Sequence, residues 1–229
     1  MSARVVLLDI DGTLLDCGGA GRAAMQRAVA QHTGRDDVLS FRFGGLTDRL
    51  IVRKALQCAS AEVSEERIDA VLEVYLALLP DALAGTAAFR TLPGATELVT
   101  ELARVSGVAL GLGTGNVEGG ARLKLERAGL WQFFTFGGFG NDHESRDELL
   151  RAGARRGAAQ LGVDAAALVV VGDTPHDVAA AHAIDAMAVA VSSGGYDAAA
   201  LQAAGADLVV ERLDDPRLRA LLFAREHRP

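Results

Sequence analysis

The sequence is poor in the residues that mark several classes of protein. It has two cysteines among 229 residues, Cys17 and Cys58, which are too few for a disulfide framework and lack the close His or Cys neighbours of a zinc site. Acidic residues outnumber basic ones, with 30 Asp and Glu against 23 Lys and Arg, and no basic stripe is visible. Because proteins hold phosphate backbones mainly through clustered Lys and Arg, we expect no nucleic-acid partner.

Long apolar runs are missing as well. The first one, residues 5–8, stops at Asp9, far short of a signal-peptide core, and no stretch approaches the roughly 18 apolar residues that span a bilayer. We therefore expect no membrane partner and a cytoplasmic location. What is present is ordinary for a globular protein, since 50% of the residues are hydrophobic and 23% are charged. Such a chain can bury a sizeable core.

The apolar pattern predicts an α/β fold with a helical insert. Residues 4–10 indicate a buried strand that ends at acidic residues and Gly12. The next segment, to about residue 90, has helical periodicity, whereas beyond Pro93 helices and strands alternate, which predicts a parallel sheet with helices on both faces. The predicted helices are 20–31, 47–59, 64–79, 95–105, 117–128, 146–161, 175–183 and 198–204, and the later strands are 107–112, 133–136, 167–171, 186–191 and 207–210.

Polar residues stand at or beyond the ends of four predicted strands. In open parallel sheets ligands bind at the carboxyl ends of the strands, so residues that follow different strands are expected to share one site. The first strand leads to Asp9, Asp11, Gly12 and Thr13, the second to Thr114, Gly115 and Asn116, the third to Arg146, and the fourth to Asp173 and Asp177.

The carboxylates Asp9, Asp11, Asp173 and Asp177 predict a metal site, with Asp9, Asp11 and Asp173 as the expected metal-binding residues. Carboxylates crowded at one edge of a sheet repel each other unless a divalent cation joins them. Mg²⁺ is the cofactor we expect, because this hard ion takes carboxylates, water and phosphate oxygens, whereas zinc prefers the His and Cys ligands that are missing here.

The same residues predict phosphoryl transfer. A phosphate on the metal can be attacked in line by Asp9, since carboxylates are competent covalent nucleophiles. Asp11, once protonated, can give its proton to the leaving alkoxide and can afterwards deprotonate the attacking water. The groups expected to bind or support the phosphate are Thr114, Asn116, Arg146 with Asp177 as its ion-pair partner, and the turns at Gly12, Thr13 and Gly115.

These motifs resemble the haloacid dehalogenase superfamily of phosphohydrolases. They are D-I-D-G-T-L at residues 9–14, T-G-N at 114–116 and G-D at 172–173 with Asp177, and their order and spacing agree along most of the chain. The resemblance implies a Rossmann-like core, residues 1–16 and 91–229, with a small helical cap domain, residues 17–90, inserted after the first strand. This arrangement is similar to the phosphoglycolate-phosphatase-like branch.

The resemblance also implies roles for single residues. It makes Asp9 the nucleophile, Asp11 the acid and base, Thr114 the phosphate-binding hydroxyl, and Asp9, Asp173 and the backbone carbonyl of Asp11 the magnesium ligands. One departure concerns the position before the fourth strand, where the family commonly has lysine and this sequence has Arg146. Arginine stays charged and can hold a phosphate through two contacts, so the role is compatible with it. Arg151 is the alternative.

The predicted activity is Mg²⁺-dependent hydrolysis of a small phosphorylated metabolite, with phosphoglycolate or a sugar phosphate as substrate by resemblance. Three alternatives stay open: a metal-independent dehalogenase, a phosphomutase that protects its phosphoenzyme from water, and a regulatory module without turnover. Within the predicted cap, the glycine-bearing loop at 43–46 could reach over the site, so Thr47 and Arg49 are candidate substrate contacts. Monomer and homodimer are both compatible with the sequence.

Overall fold

A computed structural model describes residues 3–223 and shows a parallel sheet flanked by helices. Along these residues the chain forms β1 (Arg4–Leu8), β2 (Leu15–Asp16), α1 (Ala20–Thr33), α2 (Asp48–Cys58), α3 (Glu65–Gly85), β3 (Arg90–Thr91), α4 (Ala95–Leu102), β4 (Val108–Gly113), α5 (Glu118–Arg127), β5 (Gly137–Gly138), α6 (Arg146–Leu161), β6 (Ala167–Gly172), α7 (Pro175–His182), β7 (Met187–Val191), α8 (Ala198–Ala203), β8 (Leu208–Val210) and α9 (Pro216–Phe223). No helix of these residues is long and apolar enough to span a bilayer.

The main sheet brings the ends of its central strands to one edge. Its order is β5-β4-β1-β6-β7-β8, with all neighbours parallel. Leu8, the last residue of β1, is level with Leu112 of β4 and Val171 of β6. The residues that follow these three strands therefore meet at the same edge of the sheet.

Strand β1 is buried on both faces. Val6 and Leu8 belong to the apolar cluster on one side of the sheet, whereas Val5 and Leu7 belong to the cluster on the other side. Successive side chains of a strand point to opposite faces, so an unbroken apolar run fits a strand covered by helices on both sides. The predicted α/β fold is confirmed.

Helices α1, α2 and α3 form an insert between β2 and β3. These two short strands pair antiparallel, with Leu15 opposite Thr91 and Asp16 opposite Arg90, and an ion pair of 2.6 Å also joins Arg90 to Asp16. The chain thus leaves and re-enters the core at adjacent points. We call residues 17–89 the helical insert; its assignment as a separate cap domain stays a prediction.

The predicted strand 133–136 is wrong. Residues Trp131–Phe133 form a 3₁₀ turn, and the edge strand is Gly137–Gly138. The aromatic residues suggested a strand, but Phe136 instead packs its ring against Gly111 and Gly157. A Cβ on Gly138 would overlap the backbone of α6 at Leu149. Because α6 lies so close to this edge, the strand requires glycines, which have low intrinsic strand propensity.

Three further elements were not predicted. The short strands β2 and β3 lack the length of a periodic signal, and α9 lies beyond the last predicted strand. Helix α3 continues through Pro80 to Gly85, although a proline usually ends or kinks a helix. Its buried face, which includes Tyr75, Leu79 and Leu83, continues on both sides of the proline, so tertiary packing outweighs the local penalty.

Candidate active site

A cavity of about 280 Å³ lies where the carboxyl edge of the sheet meets the helical insert. The sheet edge contributes most of the predicted residues, and the insert contributes a mixed polar and apolar wall. The core side includes Asp9, Asp11, Gly12, Gly115, Asn116, Arg146 and Asp173, and the insert side includes Arg22, Met25, Phe43, Asp48, Ile51 and Tyr75.

Three buried carboxylates form an acidic cluster at the base of this cavity. Asp9 follows β1, Asp173 follows β6 and Asp177 lies in the first turn of α7, and one oxygen of each lies within 4.8 Å of the others. Asp173 Oδ1 is buried without a hydrogen-bond partner among residues 3–223. A Cβ on Gly12 or Gly194 would overlap the Asp173 carboxylate. The cluster is thus a closely packed set of carboxylate oxygens, compatible with a bound metal ion.

Burial makes the charged forms of these acids costly. It raises the pKa of Asp9 to about 6, against the opposing charge of Arg146. It raises the pKa of Asp173 to about 8, with the neighbouring carboxylates Asp177 and Asp9 adding to the effect. A cation bound among them would favour the charged forms and reverse this cost.

Arg146 is the cation of the acidic cluster. It is buried at the first residue of α6, its Nη2 lies 2.7 Å from Asp9 Oδ2, and its Nε lies 2.6 Å from Asp177 Oδ1. The expected ion pair between Arg146 and Asp177 is present. Arg151, the alternative, is half-buried further along α6, where it pairs with Glu148. Of these two arginines, only Arg146 reaches the cavity.

Asp177 is held by the start of its own helix. Its Oδ2 accepts hydrogen bonds from the backbone N–H and the hydroxyl of Thr174, at 2.9 and 2.7 Å, and the Thr174 hydroxyl accepts one from the Asp177 N–H in return. This capping box satisfies the first turn of α7. It also leaves Asp177 Oδ1 for Arg146.

The Asp11 carboxylate lies outside the acidic cluster. Its Oδ2 accepts hydrogen bonds from Lys124 Nζ at 2.6 Å and from Asn116 Nδ2 at 2.8 Å. Burial alone would raise the pKa of Asp11, but the charge and the hydrogen bonds of these neighbours outweigh it and hold the pKa below its ordinary value. Of the carboxylates, Asp177 and not Asp11 lies with Asp9 and Asp173. The predicted metal contact of Asp11, through its backbone carbonyl, stays a prediction.

Thr114 is fully buried and does not line the cavity. Its hydroxyl accepts hydrogen bonds from the N–H and the side-chain amide of Asn116, at 3.3 and 2.9 Å. Thr13 is also fully buried, and its hydroxyl has no partner within the described part of the chain. The phosphate-binding role of Thr114 and the supporting role of Thr13 stay predictions.

Comparison with known proteins agrees with this geometry. Residues 3–185 match the family model described as "haloacid dehalogenase-like hydrolase". The chain belongs to this family.

Relatives of this hydrolase are named as phosphatases. It is 30% identical over 210 residues to a phosphoglycolate phosphatase from Rhodospirillum rubrum, covering 89% of this chain and 85% of that protein. It is 29% identical over 215 residues to a protein named "Probable phosphatase IndB" from Dickeya dadantii, covering 92% and 90%. A solved structure of a hydrolase from Pseudomonas syringae has a TM-score of 0.69 at 22% identity, covering 95% and 96% of the two chains, and shares the fold. The predicted superfamily and the hydrolase class are confirmed.

The insert of this hydrolase reaches the cavity through residues other than those predicted. Thr47 caps α2, and its hydroxyl donates to the backbone carbonyl of Glu144. Arg49 forms ion pairs with Glu65 and Asp69, and neither predicted residue lines the cavity. The structure therefore gives no support to Thr47 and Arg49 as substrate contacts. The reason lies in their partners, because Thr47 turns to Glu144 and Arg49 turns to acids of α3, whereas Asp48 lines the cavity.

Two functional candidates were missed by the reasoning from sequence. Asp48 is buried at the start of α2, where its Oδ2 accepts a hydrogen bond of 2.9 Å from the Val117 N–H, and burial raises its pKa to about 6. Lys124 is buried on α5 beside Asp11. One signal was available for it: in the predicted helix 117–128, Lys124 falls on the apolar side with Ala121 and Leu125. A lysine on such a face requires a partner.

Proposed function

We propose that this hydrolase cleaves a small phosphate monoester with the help of Mg²⁺ and passes through an aspartyl-phosphate on Asp9. The observation that carries the proposal is the buried acidic cluster at the base of the cavity, together with Arg146 and the separately held carboxylate of Asp11. A metal-bound phosphate, a nucleophile and a proton carrier are the three parts that phosphoryl transfer to a carboxylate requires.

The acidic cluster fits a hard divalent cation. Asp9 and Asp173 would hold it, with Asp177 supplying the third nearby carboxylate. Asp173 Oδ1 has no hydrogen-bond partner in the described part of the chain and is available as a ligand. The ligand set consists of oxygens, which favours Mg²⁺ over zinc. When bound, Mg²⁺ supplies Lewis-acid stabilisation of the phosphate oxygens.

The protein residues then perform two displacements. In the first, an Asp9 oxygen forms a bond to phosphorus while the bond from phosphorus to the ester oxygen breaks, and Asp11 gives its proton to that oxygen. In the second, Asp11 removes a proton from water, which attacks phosphorus and releases Asp9 and inorganic phosphate. The contact with Lys124 favours the carboxylate form needed in the second step. The nearby negative charge of an arriving phosphate favours the protonated form needed in the first.

Other groups bind the phosphoryl group through its outer oxygens. Arg146 faces Asp9 from a buried position and can neutralise charge that builds up in the transition state. The Gly115 turn lines the cavity and can offer a backbone N–H, and the Thr114 hydroxyl is proposed to join it by rotating away from Asn116. Phosphoglycolate is the first substrate to test, because a relative of 30% identity carries that name. A small sugar phosphate is the second.

The test is phosphate release by the purified protein. With Mg²⁺ present we expect turnover of p-nitrophenyl phosphate and of at least one natural ester in a panel, and loss of both in a chelator. Asp9→Asn should lower kcat/KM by at least about 10⁴-fold, as expected for removal of a covalent nucleophile. Asp81→Asn is the matched control, because Asp81 is exposed on α3 and outside the cavity.

Three outcomes would overturn the proposal. Undiminished turnover by Asp9→Asn would show that Asp9 is not the nucleophile. Full activity on a haloacid in the presence of a chelator would instead indicate a dehalogenase. Isomerised product with slow phosphate release would indicate a phosphomutase.

A further inference from the structure

We infer that Lys124 is a positioning residue that holds the Asp11 carboxylate towards the leaving group and away from the acidic cluster. The inference rests on the proposed role of Asp11 in carrying a proton. It concerns a side chain that does not belong to the motifs from which the function was inferred.

Lys124, Asp11 and Asn116 form a closed ring of hydrogen bonds. Lys124 Nζ donates to Asp11 Oδ2 at 2.6 Å and to Asn116 Oδ1 at 2.5 Å, and Asn116 Nδ2 donates to the same Asp11 oxygen at 2.8 Å. Both donors therefore act on one oxygen of the carboxylate. With Oδ2 held from two directions, the orientation of the whole carboxylate is restricted, and Oδ1 accepts neither of these two hydrogen bonds.

Burial explains why Lys124 needs a partner. The Lys124 side chain is 5% exposed, whereas the Asp11 side chain is 43% exposed. Asp11 is the one ion-pair partner of Lys124 within residues 3–223. An ammonium in so dry a position is costly unless it is paired and hydrogen-bonded. Lys124 is thus bound to Asp11 more firmly than an exposed lysine would be.

A purely structural role does not account for a lysine here. The neighbouring buried residues of α5, Ala121 and Leu125, are apolar, whereas the acidic groups that act on the Lys124 ammonium, Asp11 first and Asp48 more weakly, belong to other elements. The Asp11 carboxylate explains why residue 124 is a cation. Asp11 follows Asp9 by two residues, so without Lys124 only the hydrogen bond from Asn116 would hold its carboxylate away from a cation bound by Asp9 and Asp173.

Proton delivery depends on such orientation. A general acid acts only when its proton lies within hydrogen-bond reach of the leaving oxygen, and small displacements of a catalytic group are costly. The need for this proton grows with the basicity of the leaving group. Phenyl phosphate and p-nitrophenyl phosphate have similar shapes but differ in this basicity, since nitrophenolate is the more stable anion. They form a matched pair of probes.

The experiment compares kcat/KM for these two esters in wild type and in Lys124→Met. We expect a loss of about 100-fold on phenyl phosphate and of less than about 3-fold on p-nitrophenyl phosphate, because only the first needs the proton. Lys54→Met is the chemical control, since it removes the other lysine of the chain and lies on α2 outside the cavity. It should leave both values unchanged.

A double-mutant cycle separates positioning from fold support. Asp11→Asn should show the same dependence on the leaving group, and adding Lys124→Met to it should cost little more, because the two residues act as a unit. An equal loss on both esters in Lys124→Met, or fully additive losses in the double variant, would overturn the inference while leaving the proposed function intact. No turnover of either ester by wild type would instead overturn the proposed function.

Lys124→Arg makes the test independent of the folding of Lys124→Met. Arginine keeps the charge but presents it in a planar fork, so it should restore part of the orientation. We expect a loss of about 10-fold on phenyl phosphate and a smaller one on p-nitrophenyl phosphate. Equal losses of this variant on both esters, with a native circular dichroism spectrum, would contradict the positioning role.

Discussion

Two carboxylates of one loop, Asp9 and Asp11, lie in opposite electrostatic surroundings. Asp9 belongs to a buried cluster of three acids, and burial raises its pKa to about 6 although Arg146 touches it. Burial would raise the pKa of Asp11, but Lys124 on its Oδ2, with Asn116, holds the pKa below the ordinary value. Two residues of the same type and nearly the same position thus acquire different chemistry from their partners.

The two buried cations of the site, Arg146 and Lys124, differ in the groups that they contact. Arg146 spans two carboxylates, Asp9 and Asp177, with separate nitrogens of its guanidinium group. Lys124 joins one carboxylate to the amide oxygen of Asn116 through a single ammonium. A planar fork suits two acceptors on different elements, whereas a compact ammonium fits one narrow position. The type of cation follows from what it has to join.

After the loss of the nucleophile itself, the largest effect should come from removing another charge of the acidic cluster. We expect Asp173→Asn to lower kcat/KM by at least about 100-fold, because it replaces a charged metal ligand by a neutral amide and so weakens metal binding. The Mg²⁺ concentration needed for half-maximal activity should rise as well. Phosphate release measured over a Mg²⁺ titration checks both, with Asp81→Asn as control. An unchanged Mg²⁺ requirement would contradict the assignment of Asp173 to the metal.

Exchanging the cation of the acidic cluster should have an intermediate effect. In Arg146→Lys a single ammonium cannot occupy both contacts, with Asp9 and Asp177, at their present distances, so one charge-assisted contact is lost. We expect a fall of about 10-fold in kcat/KM, which corresponds to one such contact. Arg151→Lys is the matched control on the same helix. Wild-type activity in Arg146→Lys would mean that the second contact has no role in turnover.

The metal-free protein should lose stability as the pH rises. Burial raises the pKa of Asp9 to about 6 and that of Asp173 to about 8, so the folded state keeps protons that the unfolded state has released. This contribution is full below the ordinary Asp pKa of about 3.9 and is lost as the pH rises through about 6 and then about 8. The lowered pKa of Asp11 acts in the opposite direction, but below this range.

Thermal unfolding in a chelator and in excess Mg²⁺, from about pH 5 to about pH 9, tests this expectation. In the chelator the Tm should fall by several degrees, since each kcal/mol shifts the Tm of a chain of this size by about 2–4 °C. Mg²⁺ should remove most of the fall, because it favours the charged carboxylates. Parallel Tm curves in the two conditions would contradict the coupling between the cluster and a metal.

The smallest effect should come from Arg49→Met. Its guanidinium pairs with Glu65 and Asp69 within the insert and does not reach the cavity. Half-exposed ion pairs of this kind contribute little, about 0–1 kcal/mol. We expect KM to change by less than about 2-fold for any substrate of the panel. A larger rise in KM would restore the sequence-based hypothesis of a substrate contact at Arg49.

Much of the site could be predicted because it follows the strands. Asp9 and Asp173 are placed by the ends of β1 and β6, and a parallel sheet brings such ends together whatever surrounds them. Arg146 was found for a related reason, since it begins the helix that packs against β1 and β4. The edge strand was misplaced, because Gly137 and Gly138 have no strand signal and serve the close approach of α6.

The sequence by itself determined the apolar alternation, the motifs and hence the sheet edge at which the acids meet. Only the tertiary structure decided that the Asp11 carboxylate turns to Lys124 and away from Asp9, Asp173 and Asp177, and that Asp48 faces the cavity in place of its neighbours. The physical reason is that strand order and strand ends follow from local periodicity. The partner of a charged side chain depends on which buried cation or amide comes within about 3 Å of it, and in this protein residues more than a hundred positions apart supply it.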